Sequence, residues 1–166
     1  MASIIGFPDP VDEVSARLVA AGVVVLSVAT VVLDQPWLTL LIAYGFLARV
    51  LTGPKLSPLG LLVTRVVRPR LPVDPRPVPG PPKRFAQGMG LAFSVTAAVL
   101  AVGLGHPGAG YAVLGLLVAA ATLESVFGLC LGCRVFALLM RVGLIPEDVC
   151  VRCAELDLGV ARSSLR

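Results

Sequence analysis

Apolar residues are gathered into four long runs with short polar breaks between them, at about 14–33, 37–52, 85–105 and 109–128. Each run approaches or reaches the roughly 20 apolar residues that a helix needs to cross a bilayer core of about 30 Å. Phe85 to Gly105 is the clearest, with no charged residue. The breaks are made of turn formers. Asp34-Gln35-Pro36 separates the first two runs, with Trp37 placed as an interfacial aromatic, and His106-Pro107-Gly108 separates the last two. Asp9 is the expected cap of the first helix, with Pro10 at its first position and Asp12 and Glu13 in its first turn. The pattern predicts an all-α membrane protein, a four-transmembrane-helix bundle.

Between the second and third runs lies a basic, proline-rich loop, 53–84. Ser57-Pro58 restarts a helix after Gly53-Pro54, and Arg65 and Arg68 stand three apart among apolar residues. A short helix near 58–68 follows, either lying in the membrane surface or packed on protein as an amphipathic connector. From Pro69 to Pro82 seven of fourteen residues are proline, which predicts a stiff, extended, non-helical linker. After the fourth run a tail at 134–166 reads as a short helical hairpin. Gly143 ends one helix, and Pro146, Glu147 and Asp148 open the next.

Composition agrees with the membrane reading and changes it in one respect, orientation. The 57% hydrophobic content exceeds the roughly 45–50% of soluble domains. The net charge of +4 does not mark a nucleic-acid protein, because the cations flank apolar runs and no basic patch interleaved with aromatics occurs. With four spans, the loops at 34–36 and 106–110 contain no Lys or Arg, so all 14 cations fall on the other side. The positive-inside rule then places both termini in the cytoplasm, and 12 Arg against 2 Lys fits a GC-rich bacterial genome, which would make the membrane a bacterial inner membrane. The segment MASIIGFPDPVDE lacks the basic start of a signal peptide, so the first run is expected to remain as a helix.

All four cysteines fall within two dozen positions. Cys130 and Cys133 form one Cys-x-x-Cys at the end of the fourth run, and Cys150 and Cys153 form another after sixteen intervening residues. If cytoplasmic, they face a reducing compartment in which permanent disulfides are rare. On a helix Cys130 and Cys133 share a face. Arg134 follows the first pair and Arg152 sits inside the second, and a nearby cation lowers a thiol pKa. Glu124, near the same interface, is a candidate proton donor or acceptor. Arg49, Arg84 and Gln87 lie at its depth, so an Arg49 or Arg84 pair with Glu124 is expected to tune the site or fix packing.

Two chemistries fit. As redox dithiols, Cys130, Cys133, Cys150 and Cys153, assisted by Glu124, are the candidate catalytic set, exchanging disulfides with a partner. The alternative is a four-thiolate zinc site, Cys-x2-Cys-x16-Cys-x2-Cys, in a binding protein without catalysis. The helical look of RVFALLMRVG would misalign the two pairs by roughly 10 Å in that case. A third possibility is a scaffold whose basic loop and tail recruit a protein or anionic lipid.

LTGPKLSPLG, PPKRFAQG and LESVFGLCLGC, in this order and followed by Ile-Pro-Glu and the second Cys-x-x-Cys, resemble a bacterial membrane-protein family, domain of unknown function four-three-nine-five. The resemblance covers nearly the whole chain and implies a multi-pass protein without an established activity. It also implies thioredoxin-like or sulfur-transfer proteins as partners beside the lipid bilayer. A looser resemblance, to four-helix quinone-linked thiol oxidoreductases, rests on a small bundle carrying Cys-x-x-Cys. Those act at the oxidising face, so quinone use does not carry over to thiols that the cation count places inside.

Overall fold

In the computed structural model, which describes residues 7–150, the first helix is capped by Asp12 and not by Asp9. The chain stays extended to that point because Val11–Asp12 forms a two-residue strand, β1, antiparallel to β2 at Pro77–Val78. Helix α1 then runs Glu13–Val32, with the Asp12 carboxylate accepting from the Ser15 backbone N–H at 3.2 Å and the Ser15 hydroxyl at 2.8 Å. Asp9 accepts instead from the Gly80 N–H at 3.0 Å.

Asp12 also accepts from Arg68 Nε at 2.6 Å and from the Arg76 N–H at 3.1 Å, so one carboxylate ties the helix start to the middle loop. Burial by itself would raise its pKa, but these bonds, led by that from Arg68, hold it down at about 2. Asp12→Ala should destabilise the protein by about 1–2 kcal/mol through loss of the cap and the loop anchor. Because the folded pKa lies below the ordinary 3.8, the contribution is complete above that value and is lost as pH falls toward about 2. Unfolding of the detergent-solubilised protein at graded pH should therefore show the two proteins converging in acid.

Helix α2 runs Leu38–Thr52 and ends in a 3₁₀ turn, Gly53–Lys55. Helix α3, Pro58–Leu62, is capped by Ser57 and continues through a π turn, Val63–Val67, and a 3₁₀ turn, Arg68–Arg70. The helix expected near 58–68 is present. Leu59 packs against the core beside Gly22 of α1, while Leu62 and Val66 are exposed, so one face sits on protein and the other is open. The proline-rich linker is shorter than the sequence suggests. Helix α4, Gly80–Ala98, takes Pro81 and Pro82 into its first turn, where a missing N–H costs no hydrogen bond. It runs on through a π turn at Val99–Gly103, and α5 spans Pro107–Phe127.

Four helical stretches are long and apolar enough to cross a membrane: Glu13–Val32, Leu38–Arg70, Gly80–Gly103 and Pro107–Phe127. The second is interrupted between Thr52 and Pro58. Large apolar side chains point outward from these helices, Val25 at 69% and Leu116 at 61% exposure, as a lipid-facing surface requires. The inside is built from smaller groups. Gly90 of α4 lies against the Phe46 ring of α2, and Gly110 of α5 lies against Ala97 and Ala101 beyond it, which lets the helices approach closely. Buried hydroxyls such as Thr30 and Thr52 return to the carbonyl one turn back, at 2.8 Å each.

Helix α1 packs on α5, α2 on α4, and α4 on α5. At one end the Tyr111 hydroxyl donates to Asp34 Oδ1 at 2.8 Å, joining the two short turns. The start of α1, the end of α2, the start of α4 and the end of α5 therefore meet at the opposite end, where the cysteines are.

Candidate functional site

Helix α5 stops because Gly128 takes the left-handed conformation, φ 69°, which favours glycine. Arg17 of α1 caps that end, donating through Nη2 to the carbonyls of Ser125 at 3.1 Å and Val126 at 2.8 Å. Two residues later the chain re-enters a helix, α6 at Leu131–Arg141, with Cys130 as its N-cap. Cys130 is therefore extended (φ −83°, ψ 103°) and outside the helix on which the sequence placed it. Its sulfur still meets Cys133. Cys130 Sγ accepts from the Cys133 backbone N–H at 3.4 Å, and the Cys133 thiol donates to Cys130 Sγ at 2.6 Å. Both cysteines are free thiols, Cys130 buried and Cys133 half-buried.

This arrangement separates the two thiols electrically. Donation by the Cys133 thiol lowers the Cys130 pKa, against burial and Glu124, which raise it, and with help from Lys83 and the Cys133 N–H. Cys133 is pushed up, first because it holds the shared proton and then by burial. The pair thus carries one readily lost proton and one tightly held one. A helix N-terminus adds its partial positive charge on the Cys130 side.

The cation beside the dithiol is not one of the expected arginines. Lys83 Nζ donates to Glu124 Oε1 at 2.7 Å, with side chains only 9% and 15% exposed. Arg84, one residue and about 100° further round α4, donates outward to the Val50 carbonyl at 3.1 Å. Arg49 donates to Gln87 Oε1 at 2.9 Å, lies within 3.5 Å of Ser57 Oγ, and stacks 4.3 Å over the Phe46 ring. The expected Glu124 partner is thus corrected to Lys83, while the depth assigned to Arg49 and Gln87 is met. Arg134 is exposed on the outer side of α6 and is not among the leading groups acting on either thiol, so Lys83 takes the role expected of it. A signal for Lys83 was available. Lys83, Gln87 and Gly90 recur at four- and seven-residue spacing and mark the inward face of α4.

Helix α6 is seated on α4 through Gly132, which lies against Ala86, and through Phe136, whose ring meets Phe85 at 5.7 Å between centroids. A 3₁₀ turn at Glu147–Cys150 returns toward α4, with Val149 near Phe85 and Phe136. Cys150 is buried and disulfide-bonded, which corrects the reduced thiol expected there and leaves it no free thiolate for a metal in this state. Cys153 and Arg152 lie outside the described residues. Among the described residues no group of three or more histidine, cysteine or acidic side chains is placed to hold a metal ion, and the four-thiolate alternative depends on Cys153.

Above the dithiol the bundle holds a partly open cavity of about 200 Å³. Its walls are apolar, from Val19, Phe46, Phe93 and Leu117 among others, and its polar groups come from Arg49, Gln87, Glu124 and Cys130. Cys133 does not line it. The two sulfurs therefore have different surroundings, Cys130 on the cavity and Cys133 away from it.

Fold and site together define a small all-α membrane-embedded protein with a dithiol at the N-terminus of a short helix closing one end of its bundle. The model of the family described as Domain of unknown function (DUF4395) matches residues 11–141, and the chain belongs to that family. No curated protein and no solved structure matches it.

Proposed function

We propose that the protein is a thiol–disulfide or sulfur-relay component of the bacterial inner membrane, with Cys130 as its nucleophile and Cys133 as its resolving thiol. The observation that carries this is the position of Cys130 as the N-cap of α6, where its Sγ accepts from the Cys133 backbone N–H at 3.4 Å with the Cys133 thiol beside it. It favours thiolate at Cys130 and keeps the second proton on Cys133.

In the oxidative direction the Cys130 thiolate attacks a partner's disulfide, forming a mixed disulfide and releasing one partner thiolate. Cys133 then gives up its proton and attacks the Cys130 sulfur, which releases the second partner thiolate and leaves a Cys130–Cys133 disulfide. Two electrons and two protons pass to the partner. In reverse a partner thiolate attacks the Cys130 sulfur, Cys133 leaves and takes up its proton, and a second partner thiolate then displaces Cys130 from the mixed disulfide. Glu124 is within electrostatic reach to take part in the proton transfers. Cys150 and Cys153 hand electrons or sulfur between this pair and a thioredoxin-like or sulfur-transfer protein. The cation distribution supports a cytoplasmic location for all of them.

Alkylation with iodoacetamide at graded pH, read site by site by mass spectrometry, tests the assignment. Cys130 should react with a midpoint below the roughly 8.5 of a free thiol and Cys133 only well above it. Cys133→Ser should trap a partner as a mixed disulfide through Cys130, and Cys130→Ser should trap none. Equal, ordinary midpoints at both positions, with no trapped partner, would sink the reading.

A further inference from the structure

Arg49 is 4% exposed, deep enough in the bundle that its charge should have an acidic partner, yet no carboxylate stands within ion-pair distance of it among the described residues. Its two side-chain hydrogen bonds go to neutral oxygens, Gln87 Oε1 and Ser57 Oγ, and use two of the five N–H donors of a guanidinium. The neighbouring acid, Glu124, is already neutralised by Lys83 at 2.7 Å. While the Cys130 thiol is protonated, Arg49, Glu124 and the adjoining Lys83 sum to one positive charge at the polar end of the cavity, in surroundings where a charge without a close counter-ion is costly.

We infer that this cavity is a binding site for a small amphiphilic anion, its sulfonate- or carboxylate-like head on Arg49 and its apolar body among Val19, Phe46, Phe93 and Leu117, held beside the Cys130 sulfur. The size fits such a ligand. An apolar cavity of about 150 Å³ accommodates benzene, and this one measures about 200 Å³. An anion completes what the side chains leave open, because it supplies the missing counter-charge and accepts from the remaining guanidinium donors. That the ligand is the dithiol's own substrate rests on the relay reading. That the cavity holds such an anion does not.

The test uses protein in phosphatidylcholine nanodiscs with Cys150 and Cys153 replaced by serine, at a pH high enough to ionise an ordinary thiol. Cys130 is modified with methanethiosulfonates bearing a sulfonatoethyl, a trimethylammonioethyl or a methyl group, and the two charged rates are referred to the neutral one. The anionic reagent should be favoured about tenfold over the cationic one, equivalent to about 1.4 kcal/mol of charge discrimination. Arg49→Gln should reduce the preference to about twofold or less on the same scale, and Arg49→Lys should retain it. Hexanesulfonate should protect Cys130 from the neutral reagent where hexyltrimethylammonium does not, and Ala120→Leu, which fills the cavity with Arg49 intact, should abolish that protection. No charge preference, a preference that survives Arg49→Gln, or equal protection by both hexyl compounds overturns the proposal. Neither readout depends on a low Cys130 pKa or on a trapped partner, so the relay can fail while the site stands, and the reverse.

Discussion

Lys83→Met should destabilise the bundle by about 3–5 kcal/mol, the usual cost of removing one partner from a buried ion pair. The loss comes from what is left behind. Glu124, 15% exposed and bonded to Lys83 Nζ at 2.7 Å, would keep a carboxylate at the base of an apolar cavity with its counter-ion gone. The double variant Lys83→Met/Glu124→Gln should recover most of the loss, because a neutral amide in place of the carboxylate no longer demands a charge. Thermal unfolding in one detergent, arranged as a double-mutant cycle, gives the coupling. The same variants act on the dithiol in opposite directions. Lys83 lowers the Cys130 pKa and Glu124 raises it, so the alkylation midpoint of Cys130 should rise in Lys83→Met and fall in Glu124→Gln. An ion pair that served packing alone would leave both midpoints where they were.

The parts of this protein legible in the sequence are those set by local patterns. Apolar runs of membrane length gave the four spans, Gly-Pro and Ser-Pro pairs marked the ends of α2 and α3, and Gly143 and Pro146 framed the tail turn. What needed tertiary contacts was not legible. The choice of Asp12 over Asp9 as cap depends on β2, some 65 residues away, holding the chain extended to residue 12. The entry of Pro81 and Pro82 into α4 was hidden by a composition that, taken alone, favours an extended chain. At the site, four cysteines and a glutamate announced thiol chemistry, but their roles depend on where α5 stops. Gly128 ends it two residues before Cys130, so that this cysteine caps α6 instead of riding on a continuous helix. Lys83 and Arg84 are adjacent in sequence and equal in charge, and only the rotation of α4 decides which one faces Glu124.

That rotation also fixes the seat of α6, and the seat sets the chemistry. Ala86 lies three residues after Lys83, on the same face of α4, and Gly132 rests against its backbone. A methyl group built at Gly132 would fall 2.5 Å from Ala86 Cα and 3.3 Å from its nitrogen, so no rotamer change can relieve it and the whole helix must move. Gly132→Val should therefore cost about 1–3 kcal/mol as overpacking. Its larger consequence is at the thiols, since lifting the first turn of α6 separates the Cys133 N–H and thiol from Cys130 Sγ. The Cys130 midpoint should return toward the roughly 8.5 of a free thiol, with alkylation at neutral pH slowed accordingly. Gly88→Ala is the control, because nothing lies within 4 Å of a methyl group there. It should leave the thiols unchanged and stabilise α4 by about 0.5–1 kcal/mol through helix propensity. A Gly132→Val protein with wild-type Cys130 reactivity would show that the dithiol does not depend on the α4–α6 contact.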